Sequence, residues 1–173
     1  VLTIAHPRRR NGFSLEDVRK LTGYDCMETW NRLMYSRAHW DAALSAGKPV
    51  FMMSNDDTHD YSHVFDNGRN ATLIAMESFD HTNLKRALIH GQSIGVEIYT
   101  SDKETYAMHK KRVKNLERVE SVRMIGDTLH IQTNKTGDFK LYGQDGKIKK
   151  TYEKVAVINY PFESDDTYIR AEI

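Results

Sequence analysis

The sequence predicts an α/β protein in which alternating strands and helices are followed by a small region of antiparallel strands. Over residues 1–100, apolar runs alternate with amphipathic segments, an order typical of a parallel sheet with crossover helices. From about Glu117 onward the segments are short, they alternate apolar with polar residues, and turn residues separate them. These observations predict three parts: an α/β region over residues 1–100, a charged linker helix over 101–116 and an antiparallel β region over 117–173.

The first region begins with five predicted elements in the order strand, helix, strand, helix, strand. Ser14, with Asp17 three residues later, has nearly the spacing of a capping box and begins the first helix. Gly47 is a suitable C-cap for the second helix, and Pro49 starts the following strand. The predicted bounds of the five elements are residues 1–5, 14–21, 25–30, 38–46 and 50–53.

The remaining elements continue this pattern and then change it. A strand, a helix capped by Asp80 and another strand are predicted over residues 71–76, 81–90 and 93–99. The strands of the last region are predicted over residues 120–125, 128–133, 139–142, 147–150, 155–160 and 167–172. Turn signals such as Gly126-Asp127 divide them, so we expect a small β-sandwich or a curled antiparallel sheet.

Composition excludes several classes of function. The chain has 25 Lys and Arg residues against 24 Asp and Glu residues, a net charge of +1, so no overall charge favours a nucleic-acid polymer or a membrane as partner. The single cysteine, Cys26, excludes an intramolecular disulfide and a cysteine-based zinc cage. No apolar run approaches the roughly 20 residues of a membrane span. The cytoplasm is the expected compartment.

Both termini read as strands without polar extensions. The chain opens directly on the apolar run Val1–Ala5 and stops at Ile173 within a predicted strand. Because chain ends are usually polar and frayed, we expect this chain to be part of a longer protein.

Suitable side chains for chemistry lie where the predicted parallel strands end. His6 follows the first strand, and Glu28 and Asn31 belong to the second. Asp57 and His59 follow the third, two residues apart, so in extended backbone they project to the same side. A carboxylate and imidazoles are ligands that Zn²⁺, Mn²⁺ or Fe²⁺ accept. The alternatives are a hydrogen-bonded strand-end histidine, a polar loop and an ion-paired glutamate.

These stretches resemble a known family. Ile4-Ala5-His6-Pro7, then Met27-Glu28-Thr29-Trp30-Asn31, and the run from Trp40-Asp41 through Leu44-Ser45-Ala46-Gly47-Lys48-Pro49 to Asp56-Asp57-Thr58-His59, look like the C-terminal half of a PHP (polymerase and histidinol phosphatase) domain. The resemblance is to stand-alone PHP metal-dependent phosphoesterases that carry a β-rich appendix after the barrel. It implies the C-terminal part of a distorted (β/α)₇ barrel followed by a small antiparallel β domain.

The resemblance also implies a metal centre of two or three divalent ions (Zn, Mn or Fe). His6 matches the family's late histidine, and Asp57 and His59 match its final D-x-H pair. The family's early H-x-H is absent from this chain. The expected partner is therefore the missing N-terminal half of the barrel.

Further residues at or beside the same strand ends are expected to serve catalysis or substrate binding. Arg8 and Glu28 are the predicted catalytic residues, and a planar guanidinium suits phosphate oxygens. The predicted substrate-binding residues are Arg9, Asn31, Arg37 and His39.

The implied function is hydrolysis of a phosphomonoester of the nucleotide or sugar phosphate class by metal-activated water. The partners are then a small phosphorylated substrate, with neither a nucleic-acid polymer nor a membrane. One alternative is a catalytically incomplete PHP-like fragment whose β segment binds a partner. Another is cleavage of an amide or a cyclic phosphate by a related metal-dependent barrel.

Overall fold

The computed structural model describes residues 1–32, 34–60, 62, 67–98 and 105–173. The chain divides into two compact units, Val1–Thr105 and Tyr106–Ile173. Within the described ranges, no helix combines the length and the apolar character that crossing a membrane requires.

The centre of the first unit is a sheet in which three strands run parallel. Strand β2 (Cys26–Asn31) follows β1 (Thr3–Ile4), and the short β3 (Met34–Tyr35) precedes β4 (Phe51–Asn55). β2 pairs in parallel with β1 and with β4, and β3 pairs antiparallel with the last two residues of β2. The parallel arrangement predicted from the strand–helix–strand order is therefore confirmed, and β3 is an addition to it.

Two helices cover one face of this sheet. Helix α1 (Leu15–Lys20) begins with the complete capping box predicted from the sequence: Asp17 N–H donates to Ser14 Oγ at 3.0 Å, and Ser14 N–H donates to Asp17 Oδ2 at 2.7 Å. Helix α2 (Arg37–Ser45) packs beside α1. The buried apolar residues between these helices and the sheet are Val18, Met27, Ala42, Ala43 and Val50.

The rest of the first unit is a separate strand pair. β5 (Asn70–Ile74) and β6 (Ser93–Glu97) pair antiparallel, with helix α3 (His81–Ile89) between them in sequence. Gly95 permits β6 to approach β4 closely, because a Cβ built on Gly95 would lie 2.0 Å from Met52 Cε. The described residues thus form a mixed α/β unit with open sheets, and they do not show the (β/α)₇ barrel of which this chain was expected to be the C-terminal part.

The second unit consists of a helix and one antiparallel sheet. Helix α4 (Tyr106–Lys114) is followed by β7 (Val119–Ile125), β8 (Thr128–Tyr142), β9 (Ile148–Pro161) and β10 (Arg170–Glu172). β8 pairs with β9 along its length, with β7 at its start and with β10 at its end. The buried core on this sheet comprises Leu129, Ile131, Phe139, Leu141, Ile158 and Tyr160.

The strand boundaries of this unit correct the sequence prediction. The segments predicted over 128–133 and 139–142 belong to the single strand β8, and those over 147–150 and 155–160 belong to β9. Asn134 to Asp138 read as a turn, but irregularities of register between Gln132, Gly137 and Phe139 absorb the extra residues within the strand pair. The result is a single sheet with β-bulges and not a two-sheet sandwich. The predicted linker helix is observed from Tyr106, while residues 101–104 lie outside the described part of the chain.

Candidate functional site at the carboxyl ends of the parallel strands

The carboxyl ends of β1, β2 and β4 lie at one edge of the sheet, since the three strands are parallel and in register. The backbone turns sharply as it leaves each of these strands. His6, Arg32 and Asp57 all have positive φ angles, of 29°, 51° and 54°. Such angles are unfavourable for residues with a Cβ, by roughly 1–2 kcal/mol each, and they concentrate where surrounding contacts hold the chain in place.

Glu28 supplies those contacts between the strand ends. Its side chain is buried, with 6% of the residue exposed. Oε2 accepts a hydrogen bond from His6 N–H at 2.7 Å, and Oε1 accepts one from Asn55 Nδ2 at 3.0 Å. A register irregularity between Glu28 and Trp30 leaves Thr29 as an extra residue of a β-bulge in β2. The carboxylate therefore joins the end of β1 to the end of β4, and both of its oxygens accept bonds from protein donors.

At this edge Asp57 contacts Arg9 and His59, and these three residues are called the contact group below. Arg9 Nη1 lies 3.0 Å from Asp57 Oδ2, so the basic turn after β1 is ion-paired to the loop after β4. His59 Nδ1 lies 2.6 Å from the backbone carbonyl oxygen of Asp57 and 3.8 Å from Asp57 Oδ1. Because a carbonyl oxygen only accepts, Nδ1 carries the proton and the lone pair of the neutral ring is on Nε2. Histidine ligands of metals commonly have this arrangement.

The predicted metal ligands fit a divalent cation in chemistry but only partly in geometry. Imidazole nitrogen and carboxylate oxygen are suitable donors for Zn²⁺ and its relatives, and the His59 tautomer is appropriate. The structure brings Asp57 and His59 together. It does not bring His6 into a group with them, since in the described ranges the one set of three His, Cys, Asp or Glu ligand atoms within 4.8 Å of one another is Glu163, Asp165 and Asp166.

This acidic group of the second unit already contains a cation. Lys149 Nζ lies 2.7 Å from Glu163 Oε2, 3.2 Å from Asp165 Oδ1 and 3.0 Å from Asp166 Oδ1. The bonds to Glu163 and Asp166 raise the pKa of the lysine far above its usual range. Burial raises the pKa of Asp166, but hydrogen bonds from the backbone of Glu163 and from Lys149 and Tyr160 outweigh it and lower the pKa overall. The group is an ion-pair cluster.

Arg8 and Arg37, two of the predicted site residues, gather around Tyr35. Arg8 Nη1 donates to the Tyr35 carbonyl oxygen at 3.3 Å. The Arg37 guanidinium carbon lies 4.5 Å from the centroid of the Tyr35 ring and 5.5 Å from that of Trp30, a cation–π arrangement. The phenol of Tyr35 donates to Glu97 Oε2 at 2.5 Å, and burial followed by this bond raises its pKa.

Two further predicted residues lie deeper in the unit. His39 Nε2 lies 2.9 Å from the carbonyl oxygen of Phe13, which fixes the ring against the segment before α1. Asn31 is buried, with 4% exposed, and its backbone is paired in register with Met34 and Asn55. A hydrogen bond therefore fixes the position of His39, and strand pairing fixes that of Asn31.

Sequence reasoning missed the contacts that Asn55 and Asp56 make at this edge. Asp56 accepts hydrogen bonds from the backbone N–H of Gly68 and Asn70, each at 2.5 Å. Asn70 Nδ2 in turn donates to the Arg32 carbonyl oxygen at 2.8 Å. Asp56 thus anchors the start of β5 beside the ends of β2 and β4. The polar run Asn55-Asp56-Asp57 is visible in the sequence, but the backbone groups that Asp56 binds lie 12 or more residues away.

A cavity of about 580 Å³ lies at the other end of the strands and is not part of this site. It is formed at the amino ends of β2 and β4. Its lining residues are Leu21, Thr22, Gly23, Tyr24, Asp25, Gly47, Lys48, Pro49, Val50, Phe51, Ile89 and His90.

Comparison with known proteins gives one structural likeness. No protein-family model matches the chain, and no curated protein sequence matches it. The structure is similar to the crystal structure of a two-domain protein containing a predicted PHP-like metal-dependent phosphoesterase from Bacteroides vulgatus, at 13% sequence identity and a TM-score of 0.41. The match covers 91% of this chain and 51% of that one, so the chain spans about half the length of the protein it matches.

Proposed function

We propose that this chain is part of a metal-dependent phosphoesterase that hydrolyses a phosphomonoester of the nucleotide or sugar phosphate class. The observation that carries the proposal is the contact group of Arg9, Asp57 and His59 at the shared carboxyl edge of three parallel strands. It combines a carboxylate and an imidazole suited to a divalent cation with a guanidinium suited to phosphate oxygens.

The chain's own residues divide into three roles in this proposal. His6, Asp57 and His59 would hold the metal, and the His59 ring is oriented by its bond to the Asp57 carbonyl oxygen. Arg8 and Arg9 face the phosphoryl oxygens, and Arg37 orients the rest of the substrate beside Trp30 and Tyr35. Bound divalent ions would supply hydroxide near neutral pH and neutralise charge on the phosphoryl group.

The first unit, in this proposal, is the C-terminal part of a distorted barrel that an N-terminal half completes. The open sheets and the incomplete ligand set are consistent with such a division, because two or three ions require more ligands than His6, Asp57 and His59.

The test is metal content and turnover of the full-length protein. We expect bound divalent ions by elemental analysis and hydrolysis of nucleotide or sugar phosphates with Mn²⁺ that chelation abolishes. Substitution His59→Ala should lower kcat/KM at least about 100-fold with little loss of stability, because the side chain is 71% exposed. The matched control is His81→Ala, another exposed histidine, at the start of α3. Equal activity of the two variants would contradict the proposal.

A second candidate is a catalytically incomplete protein whose β segment binds a partner. The observation that favours it is the apolar face of β7, where Val122 and Met124 are 56% and 53% exposed and stand opposite the core residues Ile131 and Leu129. Metal analysis separates the two candidates, since this one predicts a full-length protein without bound ions and without turnover.

A further inference from the structure

The cavity at the amino ends of β2 and β4 has the size of a small-molecule site. Its volume of about 580 Å³ lies within the range of roughly 300–1,000 Å³ that such sites occupy. Its walls come from three segments of the first unit: residues 21–25 before β2, residues 47–51 before and at the start of β4, and residues 89–90 at the end of α3. The cavity is therefore built from one unit alone.

Part of the wall is apolar. Leu21, Phe51 and Ile89 line the cavity, and Leu21 and Ile89 are each 38% exposed. The Phe51 ring packs against Gly91, where an added Cβ would lie 2.2 Å from Phe51 Cδ1, so this position of the ring depends on the glycine. These three side chains offer a surface to the hydrocarbon part of a ligand.

Three helices, α1, α2 and α3, end at this cavity. The last carbonyl groups of a helix have no donor within the helix and carry partial negative charge. Side-chain donors of the chain itself already bind two carbonyl oxygens here: Lys48 Nζ donates to Leu21, and the Tyr24 phenol donates to Val18 at 3.2 Å. The Lys48 contact shows that an ammonium group is accommodated at this end of the unit.

Asp25 adds a carboxylate to these carbonyl groups. Its Oδ2 accepts from Leu2 N–H at 2.8 Å, and no described residue donates to Oδ1. The formal charges of the lining side chains cancel, Asp25 against Lys48 with His90 counted as neutral, so the helix ends decide which sign of charge the cavity favours. We propose that this cavity binds a small organic cation, a primary amine with an apolar body. The inference is independent of the proposed phosphoesterase site.

The experiment compares three probes of similar shape and different charge on the full-length protein. Tryptamine carries an ammonium group, tryptophol a hydroxyl group and indole propionate a carboxylate. Binding is followed by the NMR shifts of the backbone amides of Gly23 and Gly47, which line the cavity. We expect tryptamine to bind with a Kd of about 1 mM. The other two probes should bind at least about threefold more weakly.

The charge of Asp25 is tested by Asp25→Asn, which keeps an oxygen to accept from Leu2 N–H. This variant should lower the affinity for tryptamine about threefold to tenfold and leave that for tryptophol unchanged. The matched control is Asp127→Asn, which removes an exposed carboxylate from the second unit and should bind tryptamine as the natural protein does.

A second variant tests the apolar wall and covers the case in which Asp25→Asn does not fold. Ile89→Ala shortens a partly exposed side chain at the end of α3 and should lower the affinity for tryptamine about twofold to fivefold. The control is Leu73→Ala, at a residue of β5 that is 50% exposed and does not line the cavity. Equal tryptamine affinities of Ile89→Ala and this control overturn the inference.

The remaining outcomes are equally decisive. Amides that do not shift with tryptamine at about 10 mM, or equal affinities for the three probes, overturn the inference. Tighter binding of indole propionate also overturns it, because Lys48 and not the helix ends would then set the favoured charge. None of these results bears on metal content or phosphate hydrolysis, so failure here and failure of the proposed function are distinguishable.

Discussion

The carboxylates of Glu28 and Asp57 in the first unit and those of Glu163, Asp165 and Asp166 in the second are compensated in different ways. In the second unit one ammonium group lies within 3.2 Å of all three carboxylates. In the first unit, backbone and amide donors hold Glu28, and a single guanidinium holds Asp57.

The difference shows that a close group of carboxylates can be an internal ion pair. The tightest acidic group among the described residues is the one in which Lys149 occupies the cation position. The looser group has an imidazole with its lone pair on Nε2 and a backbone held at unfavourable angles. The first arrangement is an ion pair within the fold, and the second is the one to which we assign a metal in the proposed function.

The largest expected effect concerns the buried apolar core of the second unit. Substitution Phe139→Ala should lower its free energy of unfolding by about 3–5 kcal/mol, because the ring is fully buried and its removal leaves a cavity. Urea denaturation followed by far-UV circular dichroism measures the change. The control Ile148→Ala, at a residue that is 57% exposed, should cost under about 1 kcal/mol. Similar losses for both variants would mean that this core does not stabilise the sheet.

Much of the fold of the first unit could be predicted from the sequence, because it depends on local pattern. The Ser14–Asp17 capping box and the parallel order of β1, β2 and β4 follow from spacing and periodicity. The bonds that define the site do not, since Glu28 and His6 are 22 residues apart and Asn55 is 27 residues from Glu28. Nothing in the local sequence distinguishes a buried glutamate that bridges strand ends from one that faces a substrate.

The errors in the second unit have a similar cause. Asn134 to Asp138 read as a turn in the sequence, yet β8 continues through them, and β9 continues through the residues around Lys154. Lys154 has a φ of 52°, and its N–H donates to Asp138 Oδ1 at 2.8 Å across the strand pair. A bulge that is completed by a partner strand cannot be separated from a turn without knowing the pairing.

The next effect in size tests the ion-pair cluster. Asp166→Asn should destabilise the second unit by about 1.5–3 kcal/mol at pH 7, because the side chain is 1% exposed and loses its charge-assisted bonds from Lys149 and Tyr160. The same substitution at Asp165, whose side chain is 77% exposed, is the control and should have little effect.

Asp166 also makes the stability of the second unit depend on pH. The pKa of Asp166 is lower in the folded protein than its usual value of 3.8, so the unfolded chain takes up the proton first. Its contribution is therefore present above about pH 4 and is lost as the pH falls through the folded pKa. Melting temperatures measured from pH 7 to pH 2 should fall less steeply in Asp166→Asn than in the natural protein. Equal slopes would remove Asp166 from the acid response.

The smallest expected effect concerns Arg9, the cation that is paired with Asp57 in the first unit. It distinguishes the acidic groups of the two units most directly. The Arg9 guanidinium is bonded to Asp57 Oδ2 at 3.0 Å with side chains that are 38% and 23% exposed, so it competes with a metal ion for that oxygen. Arg9→Gln should therefore raise Mn²⁺ affinity about twofold to fivefold while it lowers kcat/KM. Arg8→Gln removes the same charge from a residue bonded to the Tyr35 carbonyl oxygen, and Mn²⁺ affinity should stay unchanged. A lower affinity in Arg9→Gln would mean that the guanidinium supports the carboxylate as Lys149 does in the second unit, and the contrast between the two groups would then disappear.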